Sequence, residues 1–189
     1  MNKLPSDYFL DVDDDLLAFL EKQGEECAKE IYKSNTVNIE NAYKLLNILI
    51  VGIGSAFLLL TQKPIFAYLT MGLATFLMCW VLCAGYLVLF CLRPNIRGAV
   101  FTSPNRLYTQ PYKAICDLDY KNLEIKGFKE QRKPLNLIRR YRLIDLCETT
   151  DELIGVNIKI RKHLNRARTT TIFAPILSMT ISAITYYFF

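Results

Sequence analysis

Three long stretches without a charged side chain constrain this fold more than any other feature of the chain. No Asp, Glu, Lys or Arg occurs in residues 45–62, 64–92 or 169–189, which are 18, 29 and 21 residues long. A helix needs about 20 predominantly apolar residues to cross the hydrocarbon core of a bilayer. The sequence therefore predicts an all-α integral membrane protein with three transmembrane helices and a small, irregular but mostly helical cytoplasmic portion.

These stretches and the charges between them divide the chain into four segments. We interpret residues 1–43 as an acidic, helical cytoplasmic arm and residues 44–92 as a transmembrane helical hairpin. Residues 93–148 form a basic cytoplasmic region, in which 95–134 shows no clear periodicity. Residues 149–189 are predicted to form a long helix that continues into the third span.

Helix signals accompany this division. Residues 13–34 have amphipathic spacing and open with three aspartates, which favour the positive end of a helix. Residues 35–38 predict a break before a second helix that enters span one. Thr149 and Glu152 have the spacing of a capping box, so we expect a helix of about 38 residues to begin there and include span three.

The uneven distribution of Lys and Arg predicts the orientation. Residues 1–43 hold four Lys against ten acids, whereas residues 93–170 hold seventeen Lys and Arg against eight acids. Lys and Arg close to membrane ends mark the cytoplasmic side. Because a tight turn at residues 61–64 joins the first two spans, the N-terminus and residues 93–170 are predicted to be cytoplasmic, with Phe189 on the opposite side.

Groups suited to catalysis or metal binding are scarce. The one histidine, His163, is flanked by cations, and we expect it to be solvated or to face lipid headgroups. Asp117 and Asp119 form a pair of a kind that is usually solvated. Cys79 and Cys83 share a helix face but lack His or carboxylate neighbours. We therefore predict that the chain is not an enzyme and uses no metal or cofactor.

A basic run from residue 126 to residue 142 is the strongest candidate contact surface. It holds seven cations against one acid, Glu130, with Phe128 and Tyr141 interleaved. Three interpretations remain open: contact with nucleic-acid phosphates, contact with anionic lipid headgroups, and topogenic charge that also pairs with the chain's own acidic arm. The candidate partner-contact or phosphate-contact residues are Lys126, Lys129, Arg132, Lys133, Arg139, Arg140 and Arg142.

Small and hydroxylated residues recur along one face of span three. Their intervals of 3, 4, 4 and 3 residues keep them on that face. Small residues let helix backbones approach, and hydroxyls bond across the interface. The face either docks on the other spans of the same chain, or joins subunits or lines a leak. Gly52 and Ala56 offer span one a similar close approach, either to span two or to another helix. The candidate helix-packing or pore-lining residues are Thr171, Ala174, Ser178, Ser182 and Thr185.

The layout as a whole resembles the small membrane effectors of bacterial anti-phage systems, and most of all the retron-associated membrane effectors. The acidic cytoplasmic arm, the tight hairpin at 44–92, the basic cytoplasmic portion and the expectation of little or nothing outside carry this resemblance, whereas the segment from Thr149 to Arg168 is a generic helical signature. It implies a multi-pass toxin of the bacterial inner membrane, held inactive by a reverse transcriptase with its DNA–RNA hybrid. Release during infection would damage the membrane and stop growth, which is abortive infection in the service of antiviral defense.

Two further expectations concern partners. Because the spans contain no ionisable group for coupled transport, a leak would require a homo-oligomer in contact with membrane lipids. The alternative function is a non-toxic membrane scaffold or assembly subunit that recruits cytoplasmic partners through residues 95–170.

Overall fold

A computed structural model describes residues 4–61, 66–92 and 109–188. Every regular element in these ranges is helical, and no strand occurs among them. A π-helical turn, Val88–Leu92, extends the second helix at its C-terminal end. The α-helices of the described ranges are α1 (Asp14–Thr61), α2 (Ala67–Leu87), α3 (Gln110–Lys113), α4 (Asp117–Ile125) and α5 (Pro134–Phe188).

Three of these helices have the length and composition of membrane spans. They are α1, α2 with its π-helical turn, and α5. The helical fold class is therefore confirmed in the described ranges, and α3 and α4 lie in the region that was expected to be irregular. Residues 62–64 of the predicted turn, and Phe189, lie outside the described residues.

Helix α1 begins near the predicted position but has no break. Asp13 Oδ1 accepts a backbone N–H from the first turn at 2.7 Å, as an N-cap does. The break predicted at residues 35–38 is wrong, because no Gly or Pro interrupts the helix there and its polar side chains bond to another helix. Asn38 Nδ2 donates to Asn157 Oδ1 at 2.8 Å, and Asn157 Nδ2 donates to Ser34 Oγ at 2.9 Å. Polar side chains that are bonded to another helix in this way do not compete for the backbone hydrogen bonds of α1.

Helix α5 begins at Pro134 rather than at Thr149, and it is 55 residues long. Proline suits the first position of a helix, where its missing N–H costs no hydrogen bond. Thr149 and Glu152 lie inside the helix, so the predicted capping box is wrong. Leu146 and Leu153, two turns apart, are both buried, and this continuous apolar face carries the helix through the expected start.

The chain divides into two compact units. The polar unit consists of Met1–Lys33 and Ile96–Val156, and the apolar unit consists of Ser34–Asn95 and Asn157–Phe189. Helices α1 and α5 each contribute residues to both units. The basic run belongs to the polar unit, and the small-residue face of span three belongs to the apolar unit.

The polar unit has a core of its own. Leu17 of α1 and Leu143 of α5 are at most 1% exposed and belong to one apolar cluster. Tyr120 and Phe128 are buried in another. Helix α4 ends at Ile125, and Gly127 in the turn that follows has a φ of 106°, a conformation that glycine adopts readily, so the turn directs Phe128 into this core.

The core of the apolar unit is where the three long helices meet. Ala42 and Leu49 of α1, Leu87 of α2 and Leu164 of α5 are each at most 1% exposed. One cluster therefore joins all three candidate spans.

Candidate functional site

Two arginines of the basic run pair with the acidic arm. Arg139 Nη2 lies 2.8 Å from Glu21 Oε2, and Arg139 Nη1 lies 3.8 Å from Asp14 Oδ1. Arg142 pairs with Glu25 in the same way. The hydrogen bond to Glu21 raises the pKa of Arg139. Both arginines thus have acidic partners within the polar unit.

Arg140 is nearly fully buried, with 1% of its surface exposed. Its Nη1 donates to the carbonyl of Asn136 at 2.8 Å, and its Nη2 donates to the carbonyl of Val12 at 2.6 Å. Arg140 Nη2 also lies 3.5 Å from Asp14 Oδ1, and its guanidinium carbon lies 5.2 Å from the centre of the Phe128 ring. The structure therefore places this residue in the core of the polar unit, away from any external phosphate.

Arg132 and the aspartates of α4 are also engaged locally. Arg132 Nε lies 2.9 Å from Glu124 Oε1, and Arg132 Nη1 lies 3.6 Å from Asp117 Oδ1. The hydrogen bond from Arg132 lowers the pKa of Glu124. Asp119 Oδ2 accepts the backbone N–H of Cys116 at 3.0 Å, which caps α4 and lowers the pKa of Asp119. Among the described residues, no group of three His, Cys, Asp or Glu side chains could hold a metal ion.

The lysines of the basic run differ from its arginines. Lys126, Lys129 and Lys133 are exposed, and none has an acidic partner in the part of the chain that the structure describes. They are the members of the run that remain available to an external anionic partner.

The small-residue face of α5 packs on α2. Ser178 Oγ donates to the carbonyl of Gly72 at 2.7 Å, and Ser182 Oγ donates to the carbonyl of Tyr68 at 3.0 Å. A Cβ placed on Gly72 would lie 3.0 Å from Ser182 Cβ, so the glycine permits this approach. Ala174, on the same face, is 3% exposed. We call these five residues the α2–α5 seam.

The two threonines of the predicted face behave differently. Thr171 Oγ1 lies 3.4 Å from Cys83 Sγ of α2, and the same sulfur lies 3.4 Å from the carbonyl of Ala167. Thr185 Oγ1 donates to the carbonyl of Ile181 within α5 at 2.9 Å. Both hydroxyls donate to their own helix, that of Thr171 to the carbonyl of Ala167 at 2.9 Å, but of the two only Thr171 also contacts α2.

Gly52 of α1 lies against Trp80 of α2. A Cβ placed on Gly52 would lie 1.9 Å from Cζ3 of the indole, whereas no atom lies within 4 Å of a Cβ placed on Gly54. Ala56, one turn after Gly52, is 4% exposed. Two alternatives were predicted for Gly52 and Ala56: packing on span two of the same chain, or on another helix. The structure shows packing on span two of the same chain.

A groove between α2 and α5 in the apolar unit was missed by the sequence analysis. Its volume is about 1140 Å³. A signal was present, because cations recur at three-residue and four-residue spacing along the part of α5 that precedes span three. The residues that line it include Leu82, Tyr86, Arg161, Lys162, Asn165 and Arg166.

Comparison of the chain with protein-family models, with curated proteins and with solved structures finds no match.

Proposed function

We propose that this chain is a membrane effector, a three-span protein that resides in a bilayer and acts on the bilayer itself. One observation carries the proposal: the outward faces of the apolar unit are apolar as well. Val51, Leu82 and Ile172 are 69%, 66% and 67% exposed. Such surface is unfavourable in water and is covered by lipid when the three helices insert.

The charge pattern supports an effector rather than a transporter. Ion-coupled transport uses ionisable groups inside the membrane, usually facing one another or a water-filled cavity. The three apolar stretches contain no Asp, Glu, Lys or Arg. Loss of the permeability barrier requires no such group, and it is the action we assign to this protein.

The finer proposal is an effector of the retron type in the bacterial inner membrane. A reverse transcriptase with its DNA–RNA hybrid would hold it inactive, and phage infection would release it to cause abortive infection. Lys126, Lys129 and Lys133 are the exposed cations through which the polar unit would contact the phosphates of that hybrid. This proposal predicts a reverse transcriptase gene beside the gene for this chain.

Release would have to alter the α2–α5 seam. Ser178 and Ser182 bond to the backbone of α2 within one chain. For this face to join subunits or line a leak, α5 must exchange these partners for those of a second copy. The active form in this proposal is therefore a homo-oligomer, and the single chain is the silent form.

A second candidate function is a non-toxic membrane scaffold that recruits cytoplasmic partners through residues 95–170. The contacts already described favour it: within one chain, the seam serines bond to α2 and the arginines pair with acidic side chains. A scaffold needs no rearrangement of these contacts.

Expression in bacteria distinguishes the two functions. The effector proposal predicts growth arrest and loss of membrane potential, measured with a voltage-sensitive dye, when the chain is expressed alone. Co-expression of the neighbouring reverse transcriptase and its RNA should suppress both effects. Normal growth with a full membrane potential, at a confirmed level of membrane-inserted protein, would support the scaffold.

Charge-reversal variants test the silencing contact. Changing Lys126, Lys129 and Lys133 to Glu should leave the toxicity intact and weaken its suppression by the reverse transcriptase. The matched control changes three exposed lysines of the acidic arm to Glu and should remain suppressible. These control lysines are Lys22, Lys29 and Lys33. Equal suppression of both triple variants would remove the basic run from the silencing contact.

A further inference from the structure

The groove between α2 and α5 has one basic wall and one apolar wall. Arg161, Lys162 and Arg166 project from α5, whereas α2 contributes apolar surface that includes Leu82. Leu82 is 66% exposed, so the apolar wall is open to its surroundings. A ligand that fills this groove must therefore carry negative charge at one part and apolar surface at another.

The cations of the groove have no acidic partner in the part of the chain that the structure describes. Residues 157–168 hold five Lys and Arg and no acid. Among the described residues, Arg161, Lys162 and Arg166 form no ion pair. The sequence of the apolar unit contains a single acid, Glu40. The described residues therefore supply no counter-charge for these cations.

The contacts of His163 show which part of α2 lies beside the basic wall. Tyr86 Oη lies 2.5 Å from His163 Nδ1, and the Phe90 ring stacks on the imidazole with 5.1 Å between ring centres. The uncharged end of α2 with its π-helical turn therefore lies beside the basic segment that precedes span three. The cations of α5 and the apolar side chains of α2 therefore lie at the same level along the helix axes.

The length of the second apolar stretch locates that level in the bilayer. Residues 64–92 have no charge, and the helix Ala67–Leu92 within them has 26 residues and extends about 39 Å, which exceeds a hydrocarbon core of about 30 Å. The C-terminal end of this stretch can therefore reach the headgroup layer. Phosphates are the anions of that layer, and acyl chains begin directly below it.

We infer that the groove binds one anionic phospholipid of the surrounding bilayer. Arg161, Lys162 and Arg166 hold the phosphate, because guanidinium and ammonium groups donate charge-assisted hydrogen bonds to it. The acyl chain lies along Leu82 on the apolar wall. Basic pockets between membrane helices are a known class of site for anionic headgroups. The inference rests on the proposed membrane insertion and adds a specific lipid site to it.

The apolar wall decides between a lipid and a nucleic acid. A nucleic-acid backbone would satisfy the cations but would leave the Leu82 side of the groove without an apolar partner. A phospholipid satisfies both walls at once, and it is present wherever the helices are inserted.

Lipid retention by the purified, full-length protein tests this site. The protein is equilibrated with an equimolar mixture of phosphatidylglycerol and phosphatidylcholine, and native mass spectrometry counts the retained lipids. The parent chain should retain phosphatidylglycerol over phosphatidylcholine by about tenfold or more, given three cations at the headgroup. The variant with Arg161→Gln, Lys162→Gln and Arg166→Gln should lose that preference.

Two controls separate a site from general attraction to charge. Lys126→Gln with Lys129→Gln and Lys133→Gln removes the same charge from exposed positions of the polar unit, and this variant should keep the preference. Leu82→Trp keeps all cations and fills the apolar wall, so it should reduce phosphatidylglycerol retention several-fold. Leu89→Trp places the same bulk at a position that is 61% exposed and does not line the groove, and it should have no such effect.

The lipid site and membrane insertion can fail separately. Insertion is measured by resistance of the protein to alkaline carbonate extraction from membranes. A chain that resists extraction but shows no lipid preference, or loses the preference equally in both triple variants, would overturn the lipid site alone. Unchanged retention by Leu82→Trp would overturn it as well. A chain extracted by carbonate would overturn the proposed function together with the site.

Discussion

Arg140 is the least accessible cation of the basic run, and its role follows from its partners. Its guanidinium holds two backbone carbonyls, those of Val12 and Asn136, and lies near Asp14. Arginine fits this position because its planar group donates in several directions at once. The residue joins the segment before α1 to the start of α5.

Removal of this guanidinium should destabilise the polar unit. Arg140→Ala removes the hydrogen bonds to both carbonyls together with the nearby ion pair to Asp14, and it should lower the free energy of unfolding by about 2–3 kcal/mol. Arg140→Lys should recover little of the loss, because an ammonium group lacks the same fork of donors. Exposed Lys133→Ala is the control, and it should change stability by less than about 0.5 kcal/mol. Denaturant unfolding in detergent, followed by circular dichroism, measures the differences, and equal stabilities would contradict this role.

Glu124 should make stability depend on pH through Arg132. The hydrogen bond from Arg132 lowers the pKa of Glu124 in the folded chain, so the ion pair stabilises the fold above the usual pKa of a glutamate. That contribution is lost as the pH falls through the lowered pKa. The thermal midpoint of the parent should exceed that of Glu124→Gln near neutral pH, and the difference should vanish once the pH lies well below the lowered pKa of Glu124.

A double-mutant cycle provides the control for this pair. In an Arg132→Gln background, Glu124→Gln should change the midpoint much less, because only the weaker attraction of Lys121 then favours the ionised carboxyl. A pH-dependent difference that persists undiminished without Arg132 would show that another group perturbs this carboxyl.

Helix ends and helix contacts were harder to predict than helices themselves. The apolar spacing predicted the arm helix and the long C-terminal helix, but Ser34 and Asn38 use their polar groups on Asn157 rather than to break α1. That partner is more than 100 residues away in the sequence, so no local pattern identifies it. Pro134 provides a helix start well before the capping-box spacing at Thr149.

The contact of α1 with α2 can be tested with adjacent glycines. A methyl group at Gly52 would overlap the ring of Trp80, so Gly52→Ala should force the indole to move and should cost about 1–3 kcal/mol. Gly54→Ala has free space and should be neutral or slightly stabilising. Trp80 is the only tryptophan, so its fluorescence during thermal unfolding reports on this contact directly. Equal behaviour of the two variants would place α1 elsewhere on α2.

The α2–α5 seam should depend on bulk more than on its hydroxyls. Intramembrane hydroxyl bonds average about 0.6 kcal/mol each, so Ser178→Ala with Ser182→Ala should have a small effect. Ser178→Leu with Ser182→Leu should lower the thermal midpoint clearly, because neither side chain has room beside α2. Thr180→Leu with Ala183→Leu, on the exposed side of α5, is the matched control. A larger effect of the control pair would show that this face does not pack on α2.

At the scale of the whole molecule, the uncharged stretches predicted the three candidate spans because length and charge alone decide whether a helix suits a bilayer. The candidate sites required three-dimensional information. The arginines and lysines of the basic run look alike in the sequence, and only the folded chain shows that the arginines have partners, such as Glu21 for Arg139 and Glu25 for Arg142. The groove depends on the register of α2 against α5, which the pairing of Tyr86 with His163 reveals.

The side of the membrane on which each segment lies tests the central claim most directly. Three variants with a single cysteine each are expressed and labelled in bacterial spheroplasts. The first retains only Cys27, the second retains only Cys116, and the third lacks all native cysteines and carries Phe188→Cys. The two native cysteines are exposed in the polar unit. A membrane-impermeant maleimide should label Phe188→Cys in intact spheroplasts and should label Cys27 and Cys116 only after the membrane is dissolved. Labelling of Cys27 or Cys116 in intact spheroplasts as rapidly as Phe188→Cys would contradict the three-span topology.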